Sequence, residues 1–162
     1  QQMATDKDRK FFPDANSTMR VTYGKVKGSS PRDAVSYNYQ THLAGVMEKY
    51  IPGDYEFDVP KKLIDLYDKK DFGQYKDKTG DVPVGFTATN HTTGGNSGSP
   101  ALDAYGNLVG LNFDRQWEGT MSDINYDPRF SRNIMVDTKY ILFIIDKFAD
   151  SKWLINEMKV VK

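Results

Sequence analysis

The 162-residue sequence contains no cysteine. This absence excludes disulfide frameworks, thiolate zinc sites and cysteine nucleophiles, and it leaves the redox compartment undecided. Histidine is scarce as well, since only His42 and His91 occur. Two histidines so far apart, with no cysteine, provide no ligand cluster for zinc. We therefore predict neither a metal nor another cofactor.

Long apolar runs and an excess of one charge are also lacking. The longest apolar run, residues 140–145, is far shorter than the roughly 18 residues of a membrane span, so no span is predicted. Lys plus Arg and Asp plus Glu each number 22, and no long-range field therefore favours nucleic acid or an anionic membrane. Residues 1–8 have no apolar signal core, and we expect them to be a cut or engineered end.

The hydrophobic pattern that is present predicts a mainly β domain with short helices. Strict alternation at residues 82–88 predicts a strand, and weaker period-two patterns predict four more, at residues 18–27, 99–102, 108–113 and 132–136. Apolar spacing of three and four predicts helices at residues 41–50 and 61–69 and a C-terminal helix over residues 138–158, broken near Ala149 to Ser151. Residues 1–16 are predicted to be a flexible lead-in to one unit spanning residues 17–162.

The chemically informative segment is the Gly- and Ser-rich loop at residues 92–100. A serine attacks a carbonyl only if its oxygen is exposed and backbone N–H groups face the developing oxyanion. Glycines on both sides of Ser97 permit the tight backbone that such a loop requires. An ordinary turn between two strands is the alternative interpretation of the same residues.

The order of elements around Ser97 narrows the choice of serine-hydrolase fold. An α/β-hydrolase places a helix directly after the nucleophile, whereas Pro100 and a predicted strand follow Ser97. The order of loop, serine, strand, turn and strand is that of a chymotrypsin-type site. Residues 109–113 would then form a wall of the primary specificity pocket.

Separate blocks spread over nearly the whole chain carry a resemblance to a known family, at residues 12–16, 20–24, 30–34, 91–100, 113–115 and 140–147. In these blocks the sequence resembles the C-terminal part of the bacterial dipeptidyl peptidase 7 and 11 family, most closely dipeptidyl peptidase 11. The resemblance implies a six-stranded antiparallel β-barrel, one half of a chymotrypsin-like double barrel, with a C-terminal helix. It also implies a serine exopeptidase that releases dipeptides from free peptide N-termini, is periplasmic or at the cell surface, and forms a homodimer at full length.

The resemblance assigns roles to individual residues of this chain. Ser97 matches the nucleophile, and the backbone N–H groups of Gly95 and Ser97 match the oxyanion hole. Asp114 matches the acid that holds the substrate α-ammonium, and Phe113 adjoins it as a substrate-binding residue. Arg115 matches the position that selects Asp or Glu as the second substrate residue, where the hydrophobic-specific subfamily has glycine.

Other interpretations of these residues remain open at this stage. Arg115 at a strand end is also compatible with an exposed side chain or with pairing to a neighbour such as Asp114 or Glu118. Successive strand residues such as Asp114 and Arg115 also point to opposite faces of a regular strand. The whole chain is also compatible with a non-catalytic β-barrel interaction module, a dipeptidyl peptidase with hydrophobic specificity, or a trypsin-like endopeptidase.

The triad histidine and aspartate are not found in this sequence. In the family the resemblance assigns both to the upstream part, which comprises the first barrel and a helical domain, so we interpret His91 and His42 as structural. The chain as given is expected to be inactive without that part of the polypeptide. No spacing supports Asp103, Asp123 or Asp127 as the orienting acid.

The segment from Trp117 to Phe130 offers two weaker candidates. Residues 123–127 resemble a calcium loop but lack its glycine and terminal glutamate, and a solvated loop is the expected structure. Trp117, Tyr126 and Phe130 are candidates for a substrate groove, with ordinary packing as the alternative.

Overall fold

The computed structural model describes residues 17–161, so the predicted lead-in at residues 1–16 lies outside the described residues. The strands are β1 (Ser29–Arg32), β2 (Val35–Tyr37), β3 (Gln40–His42), β4 (Pro83–Ala88), β5 (Pro100–Leu102), β6 (Leu108–Arg115) and β7 (Asn133–Asp137). The α-helices are α1 (Leu43–Glu48), α2 (Lys61–Asp68), α3 (Thr138–Phe143) and α4 (Lys152–Asn156). A π-helix occupies Ile144–Phe148, and 3₁₀ segments occupy Gly73–Tyr75 and Trp117–Asp123.

A single antiparallel sheet forms the centre of the fold. Its strand order is β3-β4-β7-β6-β5, and β1 and β2 form a separate hairpin. The predicted mainly β, antiparallel class with short helices is confirmed. The hydrogen bonding differs from the expected six-stranded closed barrel, because five strands share the sheet and, within residues 17–161, no ladder joins β3 to β5. A short sixth stretch at Lys25 to Lys27 pairs with Thr87 and Thr89 and continues the line of β3 along β4.

Strand β4 is buried on both faces and joins two apolar cores. On one face Phe86 and Ala88 pack with Met135 against Ala101 and Val109. The ring of Phe86 lies so close to Gly110 that a β-carbon there would meet it at 2.8 Å. Glycine at this strand position therefore allows the close approach of the ring.

The second core lies between the sheet and the helices. Phe143 of α3 is fully buried and meets Phe72 and Tyr75 edge to face, with ring centroids 6.3 Å apart in both pairs. Tyr75 also donates its hydroxyl proton to Asp146 Oδ2 at 2.7 Å. These contacts fix the C-terminal segment against the end of the sheet that lies away from the Ser97 loop.

The C-terminal segment is helical but divided. Helix α3 begins at Thr138, where the Asp137 carboxylate accepts the Lys139 N–H at 2.8 Å. The predicted break near Ala149 to Ser151 is confirmed, since Asp150 adopts a left-handed φ of 52° and separates the π-helix from α4. In the described residues, no helix combines the length and apolarity that crossing a membrane would demand.

The predicted half-buried strand at residues 18–27 is wrong over most of its length. Only Lys25 to Lys27 pair with β4, and Met19 and Tyr23 are 90% and 92% exposed. An alternating pattern produces a half-buried strand only where a sheet edge and a facing surface are both available, and residues 18–24 lack that facing surface in residues 17–161. The β1–β2 hairpin was missed because residues 28–31 favour a chain break.

The hydrogen bond between His42 and Asp77 makes the stability of the fold depend on pH. His42 Nε2 lies 2.8 Å from Asp77 Oδ2 where β3 meets α1. Burial opposes ionisation of Asp77, but hydrogen bonds from Thr79 and His42 outweigh it and lower the carboxyl pKa from 3.8 to about 2. Because the folded-state pKa is lowered, the stabilisation is present above pH 4 and is lost as pH falls toward 2.

Asp77→Asn should therefore lower the free energy of unfolding at pH 6, by up to about 2 kcal/mol, and flatten its dependence on pH between about 4 and 2. Urea denaturation at a series of pH values measures both effects. Asp68→Asn, which changes an exposed carboxylate at the end of α2, is the matched control. Parallel pH profiles for wild type and Asp77→Asn would contradict the prediction.

Candidate active site

The Ser97 loop leaves the sheet at the end of β4 and returns at the start of β5. Its backbone makes turns at Gly94–Gly95 and at Ser97–Gly98. Gly95 and Gly98 have φ values of 95° and 79°, in the left-handed region that glycine adopts without strain. The glycines flanking Ser97 are therefore required by the backbone conformation, and Ser97 itself is exposed.

The hydrogen bonds of the loop leave certain N–H groups free. The N–H groups of Asn96, Gly98 and Ser99 donate to Thr93 O, Asn112 O and Asn96 O. Those of Gly94, Gly95 and Ser97 have no acceptor among the described residues. The two groups that the sequence analysis assigns to an oxyanion hole are thus available to an external anion.

Asn96 holds the loop together from inside. Its side-chain Oδ1 accepts the Thr93 N–H at 3.0 Å, and its backbone O accepts the Ser99 N–H at 3.0 Å. The same backbone oxygen also accepts from Nδ2 of Asn112 at 3.3 Å. The loop is therefore closed on itself through Asn96 and tied to the sheet through Asn112.

Asn112 of β6 makes two further bonds to the loop through its backbone. Its carbonyl accepts the Gly98 N–H at 2.7 Å, and its N–H donates to Ser99 O at 2.9 Å. Asn112 lies in the predicted pocket-wall strand, and the sequence predicts no role for it. The signal that was available is an asparagine within a run of apolar strand residues.

Arg115 closes β6 and is held by the segment that follows it. Its Nη2 donates to Asp123 Oδ1 at 2.8 Å and its Nη1 contacts Gly119 O at 3.5 Å. The Arg115 side chain is 22% exposed and that of Asp123 is 56% exposed. The partner is therefore Asp123, which the sequence analysis left unassigned, and neither Asp114 nor Glu118 pairs with this guanidinium.

Asp114 and Phe113 lie just before Arg115 on the same strand. A bulge between Asn112 and Asp114 leaves Phe113 half-exposed as the extra residue. Asp114 and Arg115 pair with the successive residues Ile134 and Asn133, so their side chains do leave the strand on opposite sides. Asp114 Oδ1 accepts the backbone N–H of Arg115 at 2.8 Å, and Asp114 Oδ2 has no partner among residues 17–161.

The two histidines are engaged in contacts away from Ser97. His91 stacks on Tyr126 with ring centroids 4.6 Å apart, and its Nε2 lies 2.9 Å from Ser122 O. His42 pairs with Asp77 at the other end of β4. Within residues 17–161 no three His, Asp or Glu side chains are grouped so as to hold a metal ion.

The chain is similar in sequence to known peptidases over nearly its whole length. The peptidase S46 family model matches residues 1–160. An Asp/Glu-specific dipeptidyl-peptidase from Flavobacterium psychrophilum is 72% identical over 152 residues, which are 94% of this chain and 21% of that protein. A dipeptidyl-peptidase 7 from Phocaeicola vulgatus is 53% identical over 150 residues, which are 93% of this chain and 21% of that protein.

A solved structure agrees in the arrangement of the chain. Porphyromonas endodontalis DPP11, in complex with the dipeptide Arg-Asp, matches with a TM-score of 0.88 at 50% identity, over 97% of this chain and 23% of that one. The chain spans about a fifth of the length of the curated relatives that it matches. Both the family model and the matching fold extend well beyond the Ser97 loop, and the chain belongs to the peptidase S46 family.

Proposed function

We propose that this chain is the nucleophile-bearing part of a serine dipeptidyl peptidase that releases N-terminal dipeptides with Asp or Glu as the second residue. The observation that carries the proposal is the position of Arg115 on β6. Arg115 ends the strand that anchors the Ser97 loop through Asn112, and with the bulge between them the two residues are less than about 10 Å of strand apart. A cation that close to the anchor of the loop supports binding of the side chain of the residue whose carbonyl Ser97 attacks.

The reaction is an acyl transfer through Ser97. Its Oγ bonds to the carbonyl carbon of the second substrate residue and gives its proton to a histidine that the family resemblance assigns to another part of the polypeptide. The carbonyl oxygen becomes negative and accepts from the free N–H groups of Gly95 and Ser97. The amine of the third residue leaves with the proton, and water then hydrolyses the dipeptidyl ester and regenerates Ser97.

Asp114 supplies the restriction to dipeptides. Its side chain and that of Arg115 leave on opposite sides, but β6 bulges just before Asp114 and ends at Arg115, so both can contact one substrate at the strand end. Asp114 Oδ1 is occupied by the Arg115 N–H, whereas Oδ2 is free to accept from the α-ammonium of the substrate. A charged donor strengthens such a hydrogen bond. An internal peptide segment carries no ammonium at this position and gains nothing from Asp114.

Arg115 supplies the preference for an acidic side chain. The guanidinium has five N–H donors in a planar fork, and Asp123 and Gly119 engage one N–H each, on Nη2 and Nη1. A substrate carboxylate can therefore bind the remaining donors without displacing Asp123. An apolar side chain in the same place would desolvate the cation without compensation.

The wider setting of the enzyme follows from the family resemblance. We place the complete protein in the periplasm or at the cell surface, as a homodimer acting on peptides with a free N-terminus. The partners of this part of the chain are then the first barrel and the helical domain of the same polypeptide. No cofactor enters the reaction as proposed.

The first test concerns Ser97. The full-length enzyme should hydrolyse dipeptidyl fluorogenic amides, and Ser97→Ala should lower kcat by several orders of magnitude, since removal of a triad nucleophile leaves only residual catalysis. The 162-residue chain alone should show no turnover, because it has no histidine positioned as the base. Turnover by this chain that Ser97→Ala abolishes would contradict the interpretation of His91 as structural.

The second test concerns Arg115. In the full-length enzyme Arg115→Gly should lower kcat/KM for substrates with Asp or Glu second by on the order of 100-fold, the loss of a desolvated charged hydrogen bond. The same change should admit Leu and Met, and Arg115→Lys should recover only part of the loss because an ammonium lacks the planar fork. A panel of substrates differing only at the second residue measures these effects.

Arg129→Gly is the matched control for this panel, because Arg129 pairs with Asp127 on the exposed surface. It should leave the substrate preference unchanged. If Arg115→Gly also leaves the preference unchanged, or if the wild-type enzyme cleaves Leu substrates as well as Asp substrates, the assignment of Arg115 is wrong.

A further inference from the structure

Two buried asparagines lie beneath the Ser97 loop on the neighbouring strands β6 and β7. Asn112 is 8% exposed and Asn133 is 2% exposed. A buried amide is costly unless it is hydrogen-bonded, and the neighbouring strand positions are filled by apolar side chains such as Met135. The presence of two such amides in contact calls for a physical reason beyond packing.

The two amides form a relay with one possible direction. The backbone oxygen of Asn96 is only an acceptor, so the atom of Asn112 that faces it at 3.3 Å must be the donor Nδ2. Oδ1 of Asn112 is then turned the other way and accepts from Nδ2 of Asn133 at 2.9 Å. Amide orientations are assigned from such networks, and here the carbonyl of Asn96 determines both.

The far end of the relay has no protein partner. Asn133 Oδ1 is buried and accepts no hydrogen bond from the described residues. Asn133 lines a cavity of about 230 Å³ together with Asn96 and Asn112. Apolar side chains share this lining, but the cavity is large enough for water and the amides offer it polar partners. The relay thus runs along the wall of this cavity, from Asn133 on β7 through Asn112 on β6 to the Asn96 carbonyl.

The Asn96 carbonyl is half of the peptide group that carries the Ser97 N–H. A peptide group is planar and trans, so its C=O and N–H point in opposite directions and rotate together. Hydrogen bonds from Ser99 N–H and Asn112 Nδ2 to this oxygen therefore fix the direction of the Ser97 N–H. They also polarise the peptide and strengthen its N–H as a donor, as bonds in a chain do.

We propose that Asn112 and Asn133 are positioning residues for the oxyanion hole. Asn112 sets the orientation of the Asn96–Ser97 peptide, and Asn133 sets the orientation of the Asn112 amide. The relay acts on the transition state, where the Ser97 N–H meets a negative oxygen, and contributes little to the binding of the ground state. This inference rests on the proposed role of Ser97.

The test is carried out on the full-length enzyme with a dipeptidyl fluorogenic amide that has Asp as its second residue. Asn112→Ala should lower kcat about 30-fold, less than the 100- to 1,000-fold effect of deleting an oxyanion donor, with KM changed less than twofold. Asn133→Ala should lower kcat by about 5-fold. In the double variant the loss should equal that of Asn112→Ala alone, because Asn133 acts only through Asn112.

Binding measurements separate positioning from general damage. The affinity of a dipeptidyl boronic acid, whose tetrahedral adduct places an oxygen at the Ser97 N–H, should fall in proportion to kcat. The affinity of the product dipeptide Arg-Asp should stay within twofold. Asn107→Ala, in the exposed turn before β6 where Asn107 bonds to Asp103, is the matched control and should keep wild-type kcat.

Each alternative outcome has a distinct meaning. If Ser97→Ala remains active, the proposed function fails and the relay fails with it. If Ser97→Ala is inactive but folded Asn112→Ala keeps kcat within twofold, or if product affinity falls as much as kcat, only the relay is overturned. If Asn112→Ala does not fold, Asn112→Asp is used instead, since an ionised carboxylate has a similar size but cannot donate to the Asn96 carbonyl.

Discussion

The backbone bonds that join Asn112 to Gly98 and Ser99 determine where the Ser97 loop lies. Asn112 donates to Ser99 O and accepts from Gly98 N, so the end of the loop behaves as an extension of the β5–β6 ladder. Strand β6 is in turn held on its other side by β7, and β7 by β4. The position of an exposed serine on a flexible-looking Gly-rich segment thus depends on the most interior strands of the sheet.

The parts of the fold that could be predicted from sequence are those whose apolar side chains repeat at a regular spacing. Val82, Val84, Phe86 and Ala88 alternate strictly because every second residue of a strand lies on the same face, and periodicity alone revealed β4. Along the strand, Val82 and Val84 pack into the core with the helices, and Phe86 and Ala88 pack into the other core. The C-terminal helix and its break were found for the same reason. The β1–β2 hairpin has few apolar residues and is defined by backbone pairing, which leaves no periodic signal, whereas residues 18–24 carry an alternation with no facing surface to bury it.

In the site, too, features set by the local backbone could be predicted from sequence, whereas contacts between residues distant in sequence could not. The glycines around Ser97 are a local requirement of φ, so the loop could be found from the sequence. Asp123 reaches Arg115 because the 3₁₀ segment between them turns the chain back, and the spacing of eight residues gives no sign of that contact. Asn112 and Asn133 are 21 residues apart, and their contact depends on the bulge and register of β6 against β7.

The pairing of Arg115 with Asp123 also bears on the proposed selection of an acidic substrate. A guanidinium left without any partner in a partly buried site would carry a large desolvation cost before substrate arrives. Asp123 offsets part of that cost from a position that is more than half exposed, where water weakens its hold on the cation. The same carboxylate also fixes the plane of the guanidinium through Nη2, so a second carboxylate meets donors that are already oriented. In the function proposed above, selectivity for Asp and Glu is then a property of the Arg115–Asp123 pair, in which one anion belongs to the protein and the other is supplied by the peptide.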